Sequence, residues 1–168
     1  MLFRSDPSSL EKQRAAFHAQ IALAVELDLP LMLHIRPSAD SLDAYHDVLS
    51  ILTEYKREHG DRLRGNAHFF AGDTDIARQF IDLGFTISFT GVITFASEYA
   101  EVIRAIPLEH IMSETDCPYV TPTPHRGQRN EPVYVAEVVK KIAEIKQLPL
   151  DQVAAQLFEN AKRLYQLV

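Results

Sequence analysis

The chain has a single cysteine, Cys117, so no internal disulfide is possible, and this usage fits a reducing compartment. No apolar stretch approaches the ~20 residues needed to span a bilayer, so no membrane association is expected. The opening Met1-Leu2-Phe3-Arg4-Ser5-Asp6-Pro7 lacks a charged segment followed by an apolar one, so no signal peptide is read there and a cytoplasmic location is expected. A basic excess is also missing. The 17 Lys and Arg face 23 Asp and Glu, a formal net charge of −6. That argues against a protein that coats duplex DNA by bulk electrostatics, and leaves open an enzyme that grips phosphates through a metal and a few local arginines. No linker, repeat or low-complexity tract interrupts the 168 residues, which at 46% hydrophobic suffice for a core. One domain over 1–168 is expected.

What the chain does have is alternation. Ser8-Ser9-Leu10-Glu11 reads as a capping box opening a helix to about Leu27, with Leu10, Phe17, Ile21 and Ala24 inward. Pro30 to Ile35 is short and apolar, as a strand buried on both faces reads. A helix from Pro37-Ser38-Ala39-Asp40 to Gly60 comes next, then a strand around Leu63 to Phe69, and a helix between Gly72 and Gly84. Phe85 to Thr90 is the most β-like run. A helix from Thr94 to Pro107 and a strand from His110 to Thr115 succeed it. A long polar loop then runs from Cys117 to Pro132, before two closing helices. Four strands alternating with helices predict an α/β fold of parallel βα units.

Three acid–base residues close three of those strands: His34, His68 and Asp116. In parallel α/β sheets the carboxyl ends of the strands gather the active site. A histidine alone is most simply a buried one bonded to backbone, and an aspartate alone a loop cap. The joint pattern instead points to a shared divalent cation, since all three types bind such ions. Glu114, two residues before Asp116, is expected on the same strand face, orienting a ligand or a water, or paired with an arginine. Arg126 and Arg129 offer planar forks for phosphate oxygens, with Asn130 as a further donor or a helix cap. The plain alternative is a solvated loop with salt bridges. Arg36 is two residues past His34 and expected at the same mouth. Gly91 ends the third strand, where it would let backbone approach a ligand. Cys117 is read as structural.

Leu-His-Ile-Arg, His-Phe-Phe-Ala-Gly, Gly-Phe-Thr-Ile-Ser-Phe-Thr-Gly, Ser-Glu-Thr-Asp-Cys-Pro-Tyr and Arg-Gly-Gln-Arg-Asn-Glu-Pro occur in that order. Together they resemble the TatD family of metal-dependent deoxyribonucleases, and the likeness runs on to Glu159-Asn160-Ala161-Lys162-Arg163-Leu164. The resemblance implies a barrel of the TIM type and metal-dependent hydrolysis of DNA phosphodiesters, with His34, His68 and Asp116 as metal ligands. It implies Mg, Mn or Zn without choosing among them. Asp116 is expected as the general base, Glu114 beside it, and Arg36, Arg126, Arg129 and Asn130 on the substrate phosphate. The family's Asp-x-His-x-His strand and its Gly-Glu-x-Gly-Leu-Asp strand are absent, and Phe3-Arg4 resembles the residues directly after the second of these. The expectation is therefore the C-terminal half of a barrel, about four strands, with weakened activity and a possible homo-oligomer completing the fold. Two rival readings stand beside it: an inactive half-barrel serving as an oligomerising or binding module, and an amide or ester hydrolase of the same superfamily.

Overall fold

The computed structural model describes residues 2–3 and 9–167, with side chains from residue 9 onward. The chain comprises two compact units, one ending at Thr86 and one beginning at Ile87. Its strands are parallel, as the βα alternation requires.

The first unit runs β1 (Leu2–Phe3), α1 (Leu10–Glu26), β2 (Leu31–Arg36), α2 (Asp43–His59), β3 (Gly65–His68) and α3 (Thr74–Asp82). β1 is a correction to the four strands expected. Two residues carry no readable period, and only the pairing Leu2↔Ile35 and Phe3↔Arg36 reveals them as strand. β3 begins two residues later than expected, after a 3-10 turn at Gly60–Arg62. Of the capping box, Ser8 lies outside the described residues; the cap position falls on Ser9, whose hydroxyl makes no capping bond.

Strand alternation sets the two faces of β2. Leu33 and Ile35 are buried, whereas Met32, His34 and Arg36 point the other way. The unit's core gathers Phe17 and Ile21 of α1, Tyr45, Leu49 and Leu52 of α2, and Ile76 and Phe80 of α3. Each such side chain contributes about 1.5–3 kcal/mol on burial. Tyr45 packs on Phe70 and Phe80 at centroid distances of 5.4 and 6.2 Å, and its hydroxyl oxygen accepts from Ala71 N–H at 2.9 Å. The loop after β3 is thereby tied to α2. Asp73 caps α3, accepting from Ile76 N–H at 2.8 Å.

The second unit follows β4 (Phe85–Phe89), in which the boundary falls, with α4 (Ala100–Ala105), β5 (Ile111–Ser113), α5 (Val135–Lys146) and α6 (Leu150–Tyr165). β4 and β5 pair as Ile87↔Ile111, Ser88↔Met112 and Phe89↔Ser113, and Glu114 N–H extends the ladder to Phe89 O at 3.1 Å. The helix expected from Thr94 begins only at Ala100. Residues Gly91–Thr94 form a 3-10 turn instead, and the Thr94 hydroxyl donates to Gly91 O at 2.7 Å and accepts from Thr123 N–H, so it caps nothing downstream. Asn160, wholly buried in α6, donates to Leu108 O at 2.8 Å and Ile111 O at 2.7 Å, fastening the start of β5.

Candidate metal centre and substrate loop

In the first unit, His34 and His68 occupy directly paired positions, His68 closing β3 and His34 two residues before the end of β2. Alternation turns both off the core face. Both are half-buried, and their ring centroids stand 5.5 Å apart at 35°. Below them on the same face lie Met32 and Asn66. Asn66 is 1% exposed; its amide donates to Met32 Sδ at 3.5 Å and its oxygen accepts from the Thr86 hydroxyl at 2.9 Å. Sequence reasoning missed this polar floor, although Asn66 sits two residues before His68, where same-face logic finds it. Arg36 is exposed, one turn of the pleat beyond His34.

In the second unit, Glu114 and Asp116 are both half-buried. The expectation that they share a strand face needs correcting. β5 ends at Ser113, and Asp116 takes φ +56°, so the period-two argument reaches Glu114 but not Asp116. Tyr165, from the last turn of α6, feels the charge of Glu114, an influence that sequence reasoning missed. Its phenol is held above the ordinary value of 10, mainly by burial and secondarily by the negative charge of Glu114.

The loop after Asp116 is built largely of backbone contacts. A Cβ on Gly91 would stand 2.4 Å from Val120 O and 2.9 Å from Pro122 N. Gly91 thus admits the backbone of this loop, rather than a ligand. The Thr121 hydroxyl donates to Gln128 O at 2.6 Å. Arg126 donates to Thr121 O at 2.8 Å, and its guanidinium lies 3.8 Å over the ring of Phe95. One face and one N–H are so committed, and the exposed remainder is free to meet an anion. Arg129 is exposed. Asn130 differs from the expectation. It is 2% exposed, and its amide donates to Thr115 O at 2.7 Å and Tyr119 O at 2.5 Å, so its donors are spent within the loop. Cys117 is exposed and free.

A divalent ion bound by imidazole fits the His34–His68 pair in donor type and placement. Among the described residues, no group of three or more His, Cys, Asp or Glu is gathered closely enough to hold a metal. The pair therefore accounts for two ligands. No helix among them is long and apolar enough to cross a membrane.

Comparison with known proteins agrees with the motifs. The chain is 41% identical over 164 residues to the uncharacterized metal-dependent hydrolase YabD of Bacillus subtilis, covering 96% of this chain and 61% of the relative. It is 34% identical over 163 residues to the uncharacterized metal-dependent hydrolase YcfH of Escherichia coli K12, covering 96% and 58%. The chain thus spans about three fifths of the length of these relatives. Among solved structures, the crystal structure of YJJV, a TatD homolog from Escherichia coli K12, matches with a TM-score of 0.85 at 30% identity, covering 99% of this chain and 61% of that one. A TatD family hydrolase from Entamoeba histolytica shares the fold with a TM-score of 0.76 at 24% identity, covering 98% and 59%. The family model for TatD related DNase matches residues 2–166, and the chain belongs to that family.

Proposed function

We propose that this chain carries part of the active site of a metal-dependent hydrolase that cleaves DNA phosphodiester bonds. The observation that carries the reading is the direct pairing of two imidazoles, His34 and His68, in the carboxyl-terminal halves of adjacent parallel strands. The names of its relatives, metal-dependent hydrolases, and of its family, a DNase, point the same way.

His34 and His68 would hold the ion, with Asp116 as a third ligand on the strength of the Ser-Glu-Thr-Asp-Cys-Pro-Tyr block. A bound divalent cation supplies Lewis acidity toward a phosphoryl oxygen. Asp116 takes the proton of the attacking water. Glu114 orients that carboxylate or the water. Arg126, flattened on Phe95, receives a non-bridging phosphate oxygen, and the exposed Arg129 and Arg36 are read as further cations for the substrate phosphates.

The test is hydrolysis of single-stranded DNA by the purified chain with Mg²⁺ or Mn²⁺, beside EDTA and Asp116→Asn controls. Cleavage abolished by both supports the reading. A folded chain that leaves DNA intact but hydrolyses amide or ester substrates with the same metals replaces the substrate, and a chain inert toward all of them overturns the reading.

A further inference from the structure

We propose that Asn130 is a positioning residue for Asp116, holding the turn that presents this carboxylate. The inference rests on the reading of Asp116 given above.

Five residues, 115–119, form the turn in question. Asn130 reaches three of its carbonyls: its side-chain Nδ2 donates to Thr115 O at 2.7 Å and Tyr119 O at 2.5 Å, and its own backbone N–H donates to Pro118 O at 3.1 Å. The turn closes on itself through Tyr119 N–H to Asp116 O at 3.0 Å. Asp116 therefore sits between the two points that Asn130 grips, with a left-handed φ of +56°, a conformation uncommon for non-glycine residues and better tolerated by aspartate than by most.

The chemistry demands asparagine here. Two carbonyl oxygens converge on one atom, so that atom must carry two N–H bonds. An ionised aspartate has none, serine has one, and glutamine is a methylene too long for a side chain that is 2% exposed. The reverse amide orientation would set Oδ1 against both carbonyls, so the donors are fixed by elimination. Oδ1 itself is buried with no hydrogen-bond partner among the described residues. Every hydrogen bond given for Asn130 is thus one it donates, and all of them go to the Asp116 turn.

Two readouts separate positioning from general support of the loop. Hydrogen exchange of the Tyr119 amide reports the turn, and Mn²⁺ affinity by calorimetric titration reports the carboxylate. Both apply to the whole chain, beside kcat and KM for phosphodiester hydrolysis. In Asn130→Ala, Tyr119 exchange is expected to speed up, Mn²⁺ affinity to weaken about tenfold, and kcat to fall with KM kept, the size typical of residues that orient a ligand. Thr121→Val loosens the same loop at the Gln128 contact and is expected to change none of these. If Asn130→Ala fails to fold, Asn130→Ser, which keeps one donor, gives the same comparison.

A folded Asn130 variant with wild-type Tyr119 exchange and Mn²⁺ affinity overturns the inference. So does a Thr121→Val variant with the same losses, since loop support would then suffice. If Asp116→Asn binds Mn²⁺ like the wild type, the assignment of Asp116 fails instead, while Tyr119 exchange still decides whether Asn130 holds the turn.

Discussion

His34 and His68 face each other across a parallel strand pair, in direct register, with ring centroids 5.5 Å apart. In the proposed function these two imidazoles are the ligands drawn from the first unit. A ligand bound to the folded form alone at one hundred times its Kd stabilises by about 2.7 kcal/mol. For a chain of this size each kcal/mol moves Tm by about 2–4 °C. Saturating Zn²⁺ or Mn²⁺ should therefore raise Tm by about 5–10 °C. His34→Ala and His68→Ala should each abolish most of that shift, and the double variant should lose no more than the larger single one. Thermal melts with and without metal check this; single variants that keep the full shift move the metal elsewhere.

The Arg126 guanidinium lies on the Phe95 ring with one N–H held by Thr121 O. An exposed cation–π contact is worth about 0.5–1 kcal/mol, or about two- to five-fold in a binding constant. Phe95→Leu should raise KM for a phosphodiester by that factor with kcat unchanged, and Arg126→Ala should raise it further. Steady-state kinetics on both variants decide the matter. An Arg126→Ala enzyme with unaltered KM would remove this residue from the substrate site.

Tyr165 gives the pH prediction. Its phenol is raised above 10 by burial first and Glu114 second, so the folded form holds this proton more tightly than the unfolded form. The contribution to stability is complete below pH 10 and is lost as pH climbs through the raised value. Lys146, lowered chiefly by burial, works in the opposite sense over a neighbouring range, so the comparison must be with a variant. Urea unfolding from pH 9 to 11 should show a shallower alkaline loss for Tyr165→Phe than for the wild type. Parallel curves would mean that the folded form does not raise the phenol, by burial or by Glu114.

What can be read from the sequence divides along physical lines. β2 and β4 are legible because apolar and β-branched runs mark buried strands, and α3 because Asp73 announces its cap. His34 and His68 are legible because they end such runs. β1 is not, since two residues have no period and exist as a strand only through pairing with β2. The start of α4 is misplaced because Thr94 looks like a helix cap while its hydroxyl serves Gly91 and Thr123. Asn130 looks like a phosphate donor beside two arginines. That its amide turns inward depends on where the carbonyls of Thr115 and Tyr119 lie, which spacing cannot convey. Phe95 is invisible as a functional residue, because its partner Arg126 is 31 positions away.

β5 is only three residues long, and an asparagine side chain fastens the backbone at each end of it. Asn160 holds Leu108 O and Ile111 O from 52 and 49 positions downstream, and Asn130 holds Thr115 O and Tyr119 O from 15 and 11. A strand so short gains little from its own ladder, and contacts that distant carry the closure entropy of long loops. Both asparagines follow β5 in the chain, so during synthesis the strand emerges before either side chain that fastens it.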